Sequence, residues 1–581
     1  MSEVSGLPIN RNPLSPGIPA LRSGPRGLFD RLPLPVVLPS ATAGAVAGTI
    51  AVACHAQLWV TLTLGFGIAL LGTIKFKQTN IWQTLGMRIA LRWRNRRRSA
   101  NQSAADSFDV PVPESGGVHC GMRWDGRYMI TMLEVGQATV APTLLGPAQI
   151  RTDDAVPLTE AARCLSQFDI RLAAIDVVTQ GVRTQGSQDV VRIYERLLGP
   201  LPASAARTVR LALRFDPLDN TEAIDNRGGG DEGTIRTALV ATRRVVSRLA
   251  TDGVRVRMLT AAELTAADAD ALYDTAPQDW TEQWHTVRND AVEMSGYTVR
   301  SGRLTSELLA GIWAVPGLST LVRLRLTPVA RSGAPGRAAD EVAVTALVRH
   351  DTAATAPGDR PEMPAELGLR RLTGRQRRIL LDGGHIDPAA ASSGPPAALA
   401  RLAVPAAGSG QVIGATSDGF GVAVPLFGPA VRRVEIVGHL RLTQLMVLRA
   451  IAVGAKVIVH STRPDAWSHL AAEIGEPTAL SVSSPGGGAQ HAAAATMIVY
   501  DGVGSAGQVA EATVVHVRAP GAVSAAVPGA DVVLVESATD PHEVTIRTAR
   551  GVLTVRAVTI PEESRYLDAA PESSVAVPQP A

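Results

Sequence analysis

The stretch LPVVLPSATAGAVAGTIAVACHAQLWVTLTLGFGIALLGTI, residues 34–74, carries no charged side chain over 41 positions. Crossing the roughly 30 Å hydrocarbon core of a bilayer takes about 20 helical residues, so the stretch is long enough for two passes. Its polar triplet His55-Ala56-Gln57 lies near the middle. The pattern predicts a transmembrane hairpin of two helices, about 36–54 and 58–74, joined by a tight turn. A buried hairpin inside a soluble core fits less well, because uncharged runs this long seldom serve soluble folds. A cleaved signal peptide fits worse still, since the apolar stretch is too long and a second span follows directly.

Arg22, Arg26 and Arg31 precede the block, and Lys75, Lys77, Arg88, Arg92, Arg94, Arg96, Arg97 and Arg98 follow it. The turn has no Lys or Arg. The positive-inside bias therefore predicts both termini, and the roughly 500 residues after position 75, on the cytoplasmic side of the plasma (inner) membrane. Proline 39 suits a first helical turn. Gly44 and Gly48 stand four apart, a spacing that lets backbones approach in lipid; they are expected to face another helix, either the second span or a partner's. Trp59 stands where an interfacial aromatic belongs.

Residues 80–98 read as a helix lying along the membrane surface. Trp82, Leu85, Ile89 and Trp93 project within a narrow arc, Arg88 and Arg92 flank it, and Arg94 and Arg98 point away. An apolar stripe edged by arginine suits the headgroup region, where each basic residue gains about 1 kcal/mol from anionic lipid headgroups. The membrane-interface set is thus Trp59, Trp82, Arg88, Arg92, Trp93 and Arg94. A solvated stop-transfer segment is the plainer reading of the same residues.

Charge separates along the chain. Residues 75–98 carry eight positive and no negative charges, and residues 1–33 add a net +2, so the formal +3 leaves −7 for the remainder. A mildly acidic soluble part argues against nucleic acid as a partner. The three cysteines, Cys54, Cys120 and Cys164, have neither metal-type spacing nor the number for a disulfide framework. With 581 residues and 46% hydrophobic content, three or four structural units are expected.

A cytoplasmic tail (1–33) and the hairpin (34–74) are followed by a basic juxtamembrane helix and linker (75–111). A first α/β domain is expected over 112–328, opening on two strands joined at Asp125-Gly126, a dipeptide that accepts positive φ. Helices alternating with strands indicate an α/β layer fold. Residues 329–430 read as an irregular connecting region containing a basic helix, Arg370 to Leu381. Residues 431–560 read as a second, doubly wound α/β module, and 561–581 as a disordered tail.

Three candidate sites carry little chemistry. Asp268-Ala269-Asp270 has the spacing of a metal-binding DxD motif, yet it falls in a predicted helix, where i and i+2 diverge. Gly438-His439 sits between a strand and a helix like a phosphate loop, without the second glycine or lysine. Gly228-Gly229-Gly230 is followed by Asp231-Glu232 and reads as a surface loop. No catalytic, cofactor-binding or metal residue is assigned, and no enzymatic activity is expected.

The hairpin, the Trp93-Arg94-x-Arg-Arg-Arg98 edge and the strand pair Met122 to Val135 together resemble the EccE family, membrane components of the mycobacterial type VII (ESX) secretion machinery. The resemblance extends over residues 35–328 and into Leu448–Val459 and Thr462–Trp467, and is not traced through residues 329–430. Lysine occurs only at positions 75, 77 and 456, a GC-rich coding bias of the kind seen in actinobacteria. What the resemblance implies is a structural subunit of an inner-membrane complex with EccB, the ATPase EccC and EccD, whose cytoplasmic part is similar in fold to glycosyltransferases. The alternative is a membrane-anchored glycosyltransferase-like enzyme using a nucleotide sugar.

Overall fold

The computed structural model describes residues 19–23, 34–55, 57–73, 75–76, 79–96, 106–113, 115–137, 139–329, 341–354, 363–380, 390–483, 495–504, 511–521 and 529–567. It is a mixed α/β protein. Two apolar helices, α1 (Leu34–Ala53) and α2 (Leu58–Thr73), come first, followed by α3 (Ile81–Arg96).

The chain then lays down β1 (Phe108–Pro111), β2 (His119–Asp125) and β3 (Tyr128–Gly136) as an antiparallel meander. Asp125 pairs with Tyr128, so the turn proper is Gly126-Arg127, with Gly126 at φ 58°. Next, β4 (Thr143–Gly146) and β5 (Gln149–Arg151) leave this sheet and pair at the edge of a second one. After α4 (Leu158–Arg163) the chain returns with β6 (Ile170–Val182), departs with α5 (Gln188–Leu198), and returns with β7 (Ala206–Phe215). Helices α6 (Gly230–Thr251) and α7 (Ala261–Ala271), short strands β8 (Thr281–Glu282) and β9 (Val287–Arg288), β10 (Val292–Thr298), α8 (Ser306–Trp313), β11 (Ser319–Pro328) and β12 (Val342–Ala353) complete the first module. Its main path runs β8-β9-β10-β12-β11-β6-β7-β3-β2-β1, antiparallel at every step.

Period-two alternation decides the two faces of that sheet. Ile175, Val177, Val209, Leu211, Leu324 and Val344 point to one side, where α4, α6 and α8 cover them in a single apolar core. The other face carries charge. Asp176 accepts from Arg325 Nε (2.6 Å) and Nη2 (2.8 Å) and from Arg214 Nε (2.9 Å). Burial alone would raise its pKa, but the Arg325 hydrogen bonds and the Arg325 and Arg214 charges pull it down to about 2.

The second sheet begins with β13 (Gln411–Ala415) and β14 (Gly421–Val424), then β15 (Arg433–Val437), α9 (Leu440–Ala452), β16 (Val457–Ser461), α10 (Asp465–Ile474), β17 (Leu480–Ser483), β18 (Met497–Asp501), β19 (Thr513–Arg518), β20 (Val532–Glu536), β21 (Glu543–Thr548), β22 (Gly551–Arg556) and α11 (Pro561–Leu567). Its order is β17-β16-β18-β19-β15-β20-β21-β22-β13-β14-β4-β5. The first six strands are parallel and the rest antiparallel. The expectation of a doubly wound module therefore describes only the parallel half. Its strands are near-continuous apolar runs, as parallel strands with a helix-covered face require.

Several expectations differ from what forms. Residues 329–430 are not a mere connector. Strand β12 lies inside the first sheet between β10 and β11, and β13 and β14 bridge β22 to β4. The many Ala, Gly, Pro and Arg around these strands hide their alternation. The basic helix expected from Arg370 is instead a two-residue strand, Arg370–Arg371, paired with β10 and followed by a helix of only Gln376–Leu380. Gly374, at φ 70°, separates them. Residues 561–567 form α11, with Glu563, Tyr566 and Leu567 buried, rather than opening a disordered tail; residues 568–581 lie outside the described set. Gly228, Gly229 and Gly230 all have positive φ, and α6 starts at the third, so Asp231 and Glu232 occupy its first turn, where carboxylates suit the helix dipole.

The two modules interlock. Val190, Tyr194 and Leu198 of α5 belong to the second core. Gln185 N donates to Ala452 O (3.1 Å), and Ser409 N to Ser204 O (2.9 Å). Gly186 permits the closest approach, since a Cβ there would collide with the Ile451 carbonyl.

Arg449 of α9, 1% exposed, staples the second module. It donates Nε and Nη2 to the Glu563 carboxylate (2.8 and 2.9 Å) and Nη1 to Val412 O (2.8 Å). Removing one partner of a buried pair strands the other charge, so Arg449→Ala is expected to cost about 3–5 kcal/mol, read as a lowered urea midpoint. Asp154, between β5 and α4, gives a pH signature. Burial raises its pKa from 3.8 to about 6, against the opposing charge of Arg550. A carboxyl raised on folding adds stability that is fully present below pH 3.8 and disappears as pH rises through about 6. Between pH 5 and 7.5 the wild-type melting temperature should therefore fall more than that of Asp154→Asn; identical slopes would refute the assignment.

Candidate functional site: the helical hairpin and its flanking helix

Helices α1 and α2 lie against each other and reverse at His55, which adopts φ 58°. Cys54 N donates to Ile50 O (3.0 Å) and His55 N to Val52 O (2.9 Å), closing the end of α1. Hydroxyls along both helices turn back on their own backbone. Thr42 Oγ1 donates to Pro39 O (3.0 Å), Thr49 Oγ1 to Val46 O (2.8 Å) and Thr63 Oγ1 to Trp59 O (2.8 Å). Such satisfaction within the helix is what an apolar surrounding demands. Pro39 lies inside α1 rather than in its first turn, because the helix begins at Leu34.

The two helices meet over glycine. A Cβ on Gly44 would collide with the Gly65 carbonyl oxygen and lie 2.9 Å from Ala69 Cβ, and a Cβ on Gly65 would lie 3.0 Å from Gly44 O. At Gly48 the fit is looser, with Thr61 Cγ2 3.8 Å from the same construction. Gly65, the other half of the closest contact, was not singled out by spacing. Outward, the pair is apolar: Leu38, Val46, Ile50, Val52, Leu62 and Phe66 are exposed, and Leu58 and Trp59 are 76% and 65% exposed. At 1.5 Å per residue, 20 and 16 residues give lengths of about 30 and 24 Å. Among the described residues, no helix is long and apolar enough to cross a membrane.

Helix α3 presents Leu85, Ile89 and Trp93, all exposed, along one stripe, with Arg92 also exposed. Its opposite side docks on the first module. The Arg88 guanidinium lies 5.2 Å from the Trp284 ring centroid, and Asn95 Nδ2 donates to Glu282 O at 2.9 Å. Arg88 is itself exposed, with its guanidinium over the Trp284 ring. Trp82 and Arg94 fall within α3, but their side chains lie outside the described set.

The positions examined for chemistry are occupied by the protein's own groups. Asp268 lies in α7 and forms an ion pair with Arg123. Among the described residues no cluster of three or more His, Cys, Asp or Glu could hold a metal. At the N-terminus of α9, where an anion would sit, Glu536 Oε2 accepts from His439 N (2.5 Å) and lies 3.1 Å from His439 Nδ1. Burial pushes the thiols of Cys120 and Cys164 up to about 12 and 11, away from the thiolate a nucleophile needs.

A family model described as a putative type VII ESX secretion system translocon, EccE, matches residues 203–299, from β7 through β10. The ESX-1 secretion system protein EccE1 of Mycolicibacterium smegmatis is 27% identical over 423 residues, 70% of this chain and 78% of that protein. The ESX-2 protein EccE2 of Mycobacterium tuberculosis is 26% identical over 383 residues, covering 63% of this chain and 64% of its own length. The ESX-5 protein EccE5 of Mycobacterium marinum is 29% identical over 234 residues, 38% of this chain and 53% of that protein. With three ESX systems represented among the relatives and the family model seated on the first module, these likenesses support the EccE family and, with it, a component of a type VII ESX secretion system.

Proposed function

We propose that the chain is an assembly subunit of the secretion complex, anchored in the inner membrane by α1 and α2, with both termini and both modules on the cytoplasmic side. Its docking partners in this reading are the EccB, EccC and EccD components. The observation that carries it is the glycine-packed helical pair, apolar on its outside and followed by eight uncompensated basic residues between 75 and 98. Helix α3 would rest its Leu85, Ile89 and Trp93 stripe among anionic headgroups while its other side holds Trp284 and Glu282. Helix α2 at about 24 Å is short for a bilayer, and local thinning accommodates such a mismatch.

Less supports a nucleotide-sugar enzyme with a glycosyltransferase-like fold. Asp268 is taken by Arg123, the α9 N-terminus is taken by Glu536, and the first sheet is antiparallel, without the parallel-strand crevice where nucleotides bind.

Extraction in a gentle detergent followed by blue-native electrophoresis should place the protein in a megadalton band from which EccB-, EccC- and EccD-like chains are recovered. Migration as a small species, with binding of a nucleotide sugar measured by calorimetry, would favour the enzyme instead. Packing of the anchor is tested separately. In a background free of native cysteines, Gly48→Cys with Thr61→Cys should cross-link through a short bismaleimide in membranes. Adding Gly44→Leu should abolish the cross-link and reduce recovery of the complex; an undiminished product would remove the packing role of Gly44.

A further inference from the structure

A cleft of about 490 Å³ opens at one end of the first module, over the apolar face of its sheet. Thr179 of β6 and Val322 and Leu324 of β11 line it, as do Leu309 and Ala310 of α8, Leu402, and the segment from Ala148 to Glu160. The volume falls in the range of small-molecule sites, about 300–1,000 Å³.

Among these apolar walls stands Arg207, the second residue of β7. It is 9% exposed, its Nε is buried without a hydrogen-bond partner, and among the described residues it forms no ion pair. That differs from the other deeply buried arginines described above. Arg449 is fully engaged by Glu563 and carbonyls, and Arg214 and Arg325 share Asp176. What holds Arg207 in place is Trp313, whose ring centroid lies 4.1 Å from the guanidinium carbon. Gly181 makes that stacking possible, because a Cβ there would press on the Trp313 ring at 3.2 Å. Burial pulls the pKa of Arg207 down to about 9, which leaves it a cation at neutral pH. A cation in an apolar wall without a counter-charge is unfavourable, so the position calls for one brought from outside.

We propose that this cleft binds a carboxylate carried on an apolar body, with the Arg207 guanidinium as its counter-charge and the Trp313 ring as the brace that fixes its plane. A single negative charge fits better than a phosphate dianion, because the exposed Asp153, Asp252 and Glu307 outnumber the exposed Arg151 at the opening. Two sources share this chemistry: a small aliphatic or aryl acid, and the free C-terminus of an apolar peptide.

The test is calorimetric titration of the full chain in lipid nanodiscs with 4-phenylbutyrate, 4-phenylbutyramide and inorganic phosphate. The tripeptide Leu-Leu-Ala is added with its C-terminus free or amidated. Saturable binding of phenylbutyrate, of the free-acid tripeptide, or of both supports the site and identifies the source. In that case Arg207→Met should weaken binding at least tenfold while leaving the melting temperature unchanged or raised, since it removes an uncompensated charge. Arg207→Lys keeps the charge and loses the planar fork, and should weaken binding at least threefold; it decides the matter should the methionine variant fail to fold. Binding of the amides or of phosphate as tightly as the carboxylates, unchanged affinity in the folded variants, or no saturable binding of either acid would overturn the proposal.

Discussion

Exchange of strands between the two sheets is the constraint on which the rest of the molecule depends. Thr143, Leu144 and Leu145 of β4 pair with Ala423, Val422 and Gly421 of β14, nearly 280 positions further along the chain. Helix α5 follows the same route and buries Tyr194, whose hydroxyl oxygen accepts from Val412 N at 2.8 Å. Because β4, β5 and α5 are flanked in sequence by strands of the first sheet, neither core closes without the other. The glycine at 186 sets the spacing, bringing backbone against backbone where the sheets' helices meet. The hairpin and α3 are attached to this interlocked body through Trp284 and Glu282.

Much of this was legible in the residues, and where it was not the reason is physical. The uncharged run from Leu34 predicted two helices, and they form within two residues of the expected bounds. The sequences of β6, β7, β11 and most of the parallel strands likewise alternate or run apolar. Gly65 was not singled out, although Gly65 and Ala69 repeat on the second helix the four-residue spacing that Gly44 and Gly48 show on the first. Strand β12 escaped notice because Pro-, Gly- and Arg-rich sequence surrounds it. Sheet membership was the least accessible property: nothing local in Thr143–Gly146 says which of two sheets will accept it. Arg207 was equally hidden. An arginine in a strand is ordinary, and only the fold reveals that it faces inward beside Trp313 without a carboxylate.

Chemistry and scaffolding separate cleanly across the described residues. Two of the locations that sequence suggested for a ligand are filled from within: Arg123 takes Asp268, and Glu536 takes the amide of His439. A carboxylate held at a helix N-terminus does for the dipole what a bound anion would do. These features turn potential sites into joints of the fold.

The interleaved topology also bears on how the polypeptide is made. Strands β4 and β5 emerge from the ribosome long before β14, the neighbour that completes their hydrogen bonding, so an apolar edge stays open while hundreds of residues are added. Pairings of such long sequence separation form slowly and leave edges exposed to aggregation. In the proposed membrane-anchored reading, a nascent chain tethered early by α1 and α2 passes this interval dispersed along a surface rather than free in solution, where open edges would find one another.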